Sequence, residues 1–590
     1  MPSSHELLTR WPALDVAEKR ARLQSSLRLT PGPLAGALRA TADRAARTAA
    51  GLWKHDPSVW SADAAVQKAI ADRLGWMTSP ALMADSIDRL HTFAAGVKRD
   101  GVTDVVLLGM GGSSLAPEVL RSVIGVAPGW PRFHMLDSTD PAAVRATTAA
   151  IAPGTSLFLL ASKSGGTIEP NVLAAHFRQV IESAGASRWA DHFVAITDPG
   201  TAVERRAREQ GFRDVFLNPA DIGGRYSALS FFGMVPAALM GQDLGELIGW
   251  GLAMLAAAER GGPMENPAVG LGLAMGAAAR EGLDKLTLFT PASLDAFGLW
   301  VEQLIAESTG KKGTGIVPIA NEPIADATKY GTDRLFVRLR VHGAANEGRR
   351  DELERALVAA NAPCVDVDLP EPAALGAEFV RWEIATAVAG AILEIDPFDQ
   401  PNVQQAKDAT QALLGQYKTS RKLPIPPADR TLHNGIALTL SAAAKQTLKP
   451  ADSDAFLSLA HQGDYVALLA YVSTMDPALA EALKTLRTAI RDRTRAATMF
   501  GYGPRYLHST GQLHKGGANS GVFILVTAAP REDVPIPGEI FSFGTLELSQ
   551  AVGDFASLDA AGRRALHAHL PAPDRALLRE FAQALLSRSG

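Results

Sequence analysis

The chain has 590 residues, 58 of them basic and 62 acidic, for a formal net charge of −4. That balance offers no basic field for a phosphate backbone, which excludes general nucleic-acid binding. One cysteine, Cys364, excludes an internal disulfide framework and any zinc or iron–sulfur centre built from cysteine, and fits a reducing, cytoplasmic compartment.

At 47% hydrophobic residues, the composition is that of an ordinary folded protein of roughly three to four domains. The start, Met1-Pro2-Ser3-Ser4-His5-Glu6, lacks the basic and apolar segments of a signal peptide. No apolar run approaches the roughly 20 residues that span a bilayer, so no membrane partner is expected.

Residues 1–98 read as a helical N-terminal element. Ala and Arg are dense from Gly36 to Leu52, a second helical run covers Asp63 to Leu74, and Trp53 and Trp60 are its expected anchors. Residues 99–262 change texture. The short runs Asp104–Leu108, Phe133–Leu136, Leu157–Ala161 and Phe193–Ile196 alternate with helical stretches, and each ends in a polar or glycine-rich turn. That alternation predicts a parallel sheet covered on both faces, with ligands at the carboxyl ends of its strands.

A second unit of this kind is expected over 263–421, with strands at Lys285–Phe289, Leu335–Leu339 and Pro363–Val367 and a helix from about Ala296 to Glu307. The proline-rich Lys422–Pro427 reads as a linker. Residues 428–590 read as a mixed α/β extension. Helix dominates it to about Thr498 and again over roughly Thr545 to Phe555 and Ala560 to Leu586, and one strand is expected at Val522–Val526.

Five segments carry candidate chemistry. Gly109-Met110-Gly111-Gly112-Ser113 follows a strand, and its small residues let backbone N–H groups approach an anion. It lacks the third glycine of a dinucleotide fingerprint, where Ser114 stands, which disfavours a nicotinamide cofactor even with Asp137 after the next strand. Ser162-Lys163-Ser164-Gly165-Gly166-Thr167 offers hydroxyls, a lysine and two glycines at a strand-to-helix junction, suited to a phosphate monoester or to simple helix capping.

Gln303 and Glu307 are four residues apart on one helix face. Glu307 sits near the negative end of that helix, just before Gly310, a place that suits a proton acceptor. Gly223-Gly224-Arg225-Tyr226-Ser227 fixes an arginine in a tight turn, where it can steady an anionic intermediate. Phe398-Asp399-Gln400-Pro401 leads into a helix bearing Lys407.

Taken in order, these five segments resemble the glucose-6-phosphate isomerases. The segment Gly503 to Gly517 resembles the isomerase half of transaldolase–isomerase fusions, although too few residues precede the first sheet for a fused (β/α)₈ barrel. The resemblance implies an α/β fold with two sugar-isomerase (SIS) domains, each a parallel sheet flanked by helices. It implies reversible conversion of glucose 6-phosphate and fructose 6-phosphate through a cis-enediol, in a glycolytic or gluconeogenic setting, without metal or cofactor.

By motif, Ser162, Ser164 and Thr167 would hold the phosphate, with Lys163 in the same turn among the substrate-binding residues, and Gly111, Gly112 and Ser113 would line the sugar. Gln303 and Gln400 would contact substrate. Glu307 would be the base, Arg225 would steady the enediolate, and Lys407 would assist ring opening. The family's ring-opening histidine is expected between the glutamate and lysine motifs, where this chain has only His342 in an unmatched setting. His514, in Leu513-His514-Lys515-Gly516-Gly517, fits best locally, with His342 and His508 as the alternatives. Relatives are commonly dimers, so a homodimer is possible, and mannose 6-phosphate remains an additional candidate substrate. A non-catalytic sugar-phosphate sensor is the competing reading, disfavoured because it has no use for Glu307, Arg225 and Lys407 together.

Overall fold

The computed structural model describes residues 3–342 and 348–587. Its strands in chain order are β1 (Leu27–Thr30), β2 (Asp104–Leu108), β3 (Arg132–Leu136), β4 (Ser156–Ala161), β5 (Phe193–Thr197) and β6 (Asp214–Leu217). Next come β7 (Lys285–Phe289), β8 (Val317–Ile319), β9 (Arg334–Val341) and β10 (Cys364–Leu369). The last are β11 (Arg430–Thr431), β12 (Ala437–Leu440), β13 (Tyr465–Tyr471), β14 (Ala497–Tyr502), β15 (Gly521–Ala528) and β16 (Arg564–Leu570).

They form three sheets, ordered β3-β2-β4-β5-β6, β8-β7-β9-β10-β1 and β11-β12-β16-β15-β13-β14. The first is parallel throughout. The second is parallel except for β1, which pairs antiparallel with β10. In both, the first strand in sequence of the parallel set lies inside the sheet, with Leu108 opposite Leu136 and Leu160, and Lys285 opposite Val317 and Arg334. Chain order therefore reverses beside β2 and beside β7, which opens a crevice at the carboxyl end of each sheet.

The N-terminal stretch is helical apart from β1. Helix Ala35–Trp53 is rich in alanine, the best helix former. Helix Ala64–Ala71 starts at Asp63, whose carboxylate accepts from the Ala65 and Val66 amides. Trp60 is buried and donates its indole N–H to Ala387 O at 2.8 Å, which anchors this element on the second sheet's helix Leu375–Ile392. That helix, with Leu244–Ala258 and Val269–Arg280, is buried almost all round between the first two sheets. Glycines permit the closeness: a Cβ on Gly376 would stand 1.8 Å from Leu247 O.

The third sheet corrects the expectation of helix over most of 428–498. Tyr-Val-Ala-Leu-Leu-Ala-Tyr is β13, buried at every position between β14 and β15, and Arg564–Leu570 is β16 rather than helix. An all-apolar run of seven shows no periodicity that separates a buried strand from a buried helix. This sheet has its own core around Val466, Ile524 and Leu566. Its other face packs on Ala306, Val317 and Ile319 of the second unit. Leu414, Phe543 and Leu546 pack on the first unit beside Val172 and Phe177. The third unit thus touches both others, and its contact with the second includes Ala306 on the helix that carries Gln303 and Glu307.

Among the described residues no helix is long and apolar enough to cross a membrane, and no cluster of three or more His, Cys, Asp or Glu could hold a metal ion.

Candidate active site

Two glycine turns bring the first sheet to the arginine. Gly111 has φ +53°, and a Cβ there would stand 2.6 Å from His508 O. A Cβ on Gly112 would stand 2.0 Å from Gly224 O, so the turn after β2 lies directly on the Gly223–Ser227 turn. Ser113 is buried beside them. Asp137, after β3, is spent on the third unit, where Arg505 pairs with it at 2.7 Å.

Arg225 is 3% exposed and held on almost every side. Its Nε donates to Ser308 Oγ at 2.7 Å, Nη1 to Gln400 Oε1 at 3.0 Å, and Nη2 to the carbonyls of Pro397 and Asp399. One N–H on Nη1 is left over among the described residues. Nη1 lies 3.5 Å from Glu307 Oε1. Glu307 accepts from Gln303 Nε2 at 3.1 Å, and that amide also donates to His508 O at 2.8 Å. Gln303 and Gln400 therefore brace the carboxylate and the guanidinium from the second unit.

Lys311, buried, ties Asp396 O and Asp399 to the end of the same helix. Burial, with the Arg225 charge adding to it, pulls its ammonium down to about 8.

The Ser162–Thr167 turn follows β4 at the carboxyl end of the first sheet. Gly165 has φ +68°, and Ser162 Oγ is buried without a hydrogen-bond partner among the described residues. Thr167 precedes helix Ile168–Ser183 and, among the described residues, makes no side-chain cap bond to it. Ser164 is exposed and caps the Gly166 amide at 3.3 Å. Lys163, expected in the same turn among the substrate-binding residues, has protein partners. Its ammonium pairs with Asp198 and donates to Ala220 O at 3.2 Å, which commits its charge to holding the turn.

Gly166, Thr167, Lys407 and His508 line one cleft with Glu169, Thr410, Gln411, Leu507 and Gln550. Lys407 comes from helix Val403–Ser420, which follows the loop that holds Arg225. His508 Nε2 lies 2.9 Å from Glu169 Oε1. Gln550 Nε2 donates to the same oxygen at 2.6 Å, and Thr139 fixes that amide by donating to its Oε1 at 2.9 Å. Burial opposes charge on Glu169, yet the His508 ring, its hydrogen bond and the Lys407 ammonium together hold the carboxyl below its ordinary value. Glu169 and Gln550 were missed in the sequence. The signal for Glu169 was an acid two residues past the Ser/Thr turn, in the first turn of a helix.

The other histidines lie elsewhere. His514 is 1% exposed, packed against Tyr465, Tyr506 and Phe523, with neither ring nitrogen hydrogen-bonded among the described residues. Burial, with Lys515 and Arg563 adding to it, pushes its imidazole far below the usual range, so it is a neutral core ring away from the cleft. His342 stands exposed past the end of β9, beside Arg28 and Asp368.

Next to Gln303, Glu302 is fully buried, and burial pushes its carboxyl up to about 8 against the opposing charge of Arg487. An acid with a raised folded value stabilises the fold fully below its unfolded value near 4.5, and loses that contribution as pH climbs to about 8. Glu302→Gln should therefore melt near wild type at pH 5 and higher by several degrees at pH 8.5, a gap worth on the order of a few kcal/mol. Thermal midpoints across that range are the check; parallel pH curves for the two proteins would contradict it.

A family model described as phosphoglucose isomerase matches residues 79–317. A glucose-6-phosphate isomerase from Thermosynechococcus vestitus is 30% identical over 368 residues, covering 55% of this chain and 69% of that protein. The chain belongs to the phosphoglucose isomerase family. Another glucose-6-phosphate isomerase, from Rubrobacter xylanophilus, is 28% identical over 405 residues, covering 60% of this chain and 92% of that one.

Two solved structures share the fold. A hypothetical protein from Thermus thermophilus aligns with TM-score 0.55 at 24% identity, over 65% of this chain and 99% of its own. A glucose-6-phosphate isomerase from Chlamydia trachomatis aligns with TM-score 0.50 at 19% identity, over 65% of this chain and 86% of its own. The phosphoglucose isomerase match ends at residue 317, before Gln400, Lys407 and His508.

Proposed function

We propose that the chain interconverts glucose 6-phosphate and fructose 6-phosphate through a cis-enediol, with Glu307 as the base. The observation that carries this reading is the pairing of a braced carboxylate with a fixed cation. Glu307 Oε1 lies 3.5 Å from Arg225 Nη1, which among the described residues keeps a spare N–H. A proton α to a carbonyl is too weakly acidic for a base alone. Its removal needs a cation already in place where the enediolate oxygen develops, and arginine supplies one without losing its own proton.

Glu307 takes the C2 proton of the open aldose and returns it to C1, while the hydroxyl proton crosses between the two oxygens. Ser162 Oγ, Thr167 and the helix N-terminus receive the phosphate, whose binding positions the reacting carbons. His508, backed by Glu169, and Lys407 on the opposite wall exchange protons with the ring oxygen and the anomeric hydroxyl during ring opening. All these groups come from one chain, so the reading needs no second subunit at the cleft.

The test is a coupled assay: fructose 6-phosphate is supplied and glucose 6-phosphate formation is followed with added dehydrogenase. Steady turnover is expected, and its absence in folded protein would reject the proposal.

A further inference from the structure

We infer that the chain carries a second ligand site, for a phosphorylated polyol, in the cavity where the second sheet meets the third. The first sheet's order, β3-β2-β4-β5-β6, repeats in the second as β8-β7-β9-β10-β1. The carboxyl ends of β7 and β8 thus correspond in sheet position to those of β2 and β3, and they border the second sheet's own switch point. A cavity of about 510 Å³ opens there, within the range of small-molecule sites, and it shares no lining residue with the first cleft.

Its charge is one-sided. Arg349 and Arg350 stand on the first turn of helix Gly348–Ala359. Lys484 and Arg487, three apart on one face of helix Pro477–Thr494, approach from the third unit. Two carboxylates, Glu322 and Asp295, line the cavity with these four residues, and Glu302 faces Arg487 from behind. Glu322 is closed off by Arg334 at 2.6 Å and by the Thr498 amide and hydroxyl at 2.8 Å. The floor is built, because Arg487 is 5% exposed and fixed by the carbonyls of Ala320 and Asn321.

Asn321 Oδ1 is a buried acceptor without a hydrogen-bond partner among the described residues, next to the remaining carboxylate, Asp295. Cations at the rim suit a phosphate dianion, and the exposed Asp295 carboxylate beside the Asn321 amide suits hydroxyls. A bare phosphate would use only the first set.

The probe is sorbitol 6-phosphate, which has no carbonyl to isomerise, titrated calorimetrically into the full chain. Arg349 and Lys484 are both exposed, so Arg349→Ala/Lys484→Ala should fold normally and keep the KM for fructose 6-phosphate within about twofold. Wild type is expected to bind one more molecule per chain than this variant, or to hold it about tenfold or more tightly. Equal stoichiometry and affinity in the two proteins would overturn the site. Inorganic phosphate binding as tightly as the polyol phosphate would overturn the ligand class. Ser164→Asp, which crowds the first cleft's phosphate turn, reads that cleft separately, so failure of the isomerase reading leaves this result interpretable.

Discussion

Glu307→Gln should lower turnover by about three to four orders of magnitude while the affinity for sorbitol 6-phosphate changes by no more than about threefold. The substitution keeps the size of the side chain and its acceptor toward Gln303 Nε2. It removes only the ability to hold a proton and the charge facing Arg225. A group that acts by taking a proton shows its loss in kcat, whereas a group that merely binds shows it in KM. Glu302→Gln, further back on the same helix but aimed at Arg487, is the matched control and should keep near-normal turnover. Near-normal turnover in Glu307→Gln itself would reject it as the base.

The first two sheets were legible because their strands are short apolar runs, each followed at once by a turn with its own chemistry. Lys285–Phe289 matches β7 to the residue, and Leu157–Ala161 misses only Ser156 of β4. Two kinds of element were hidden. Edge strands such as β1 and β6 are half-buried, so their patterns are weak. Buried segments of the third unit, such as β13, carry no polar face to mark their period.

Side-chain commitments were hidden for a different reason. Lys163 sits in a turn that reads as phosphate-binding, but its fate depends on Asp198, which reaches it across the next strand. Gln400 and Gln303 read as substrate contacts, yet each has a protein partner that it braces. Motif spacing reports which residues share a turn, while long-range packing decides where each polar atom is spent.

The histidine is the sharpest instance. His508 and His514 lie six residues apart in one segment, and only their surroundings separate a wall of the cleft from a core ring. His508→Ala should slow the reaction of cyclic glucose 6-phosphate by about a hundredfold. The variant should leave the rate with 5-deoxyfructose 6-phosphate nearly unchanged, because that analogue lacks the hydroxyl that closes the ring. His514→Ala should behave in the opposite way. It opens a void among Tyr465, Tyr506 and Phe523, for a loss of about 2–4 kcal/mol in stability, with no difference between the two substrates. His514→Leu refills that void and leaves no imidazole nitrogen without a partner, so most of the stability should return. Equal losses on cyclic and open-chain substrates in His508→Ala would remove His508 from ring opening. A loss confined to the cyclic substrate in His514→Ala would move the role back to the buried ring.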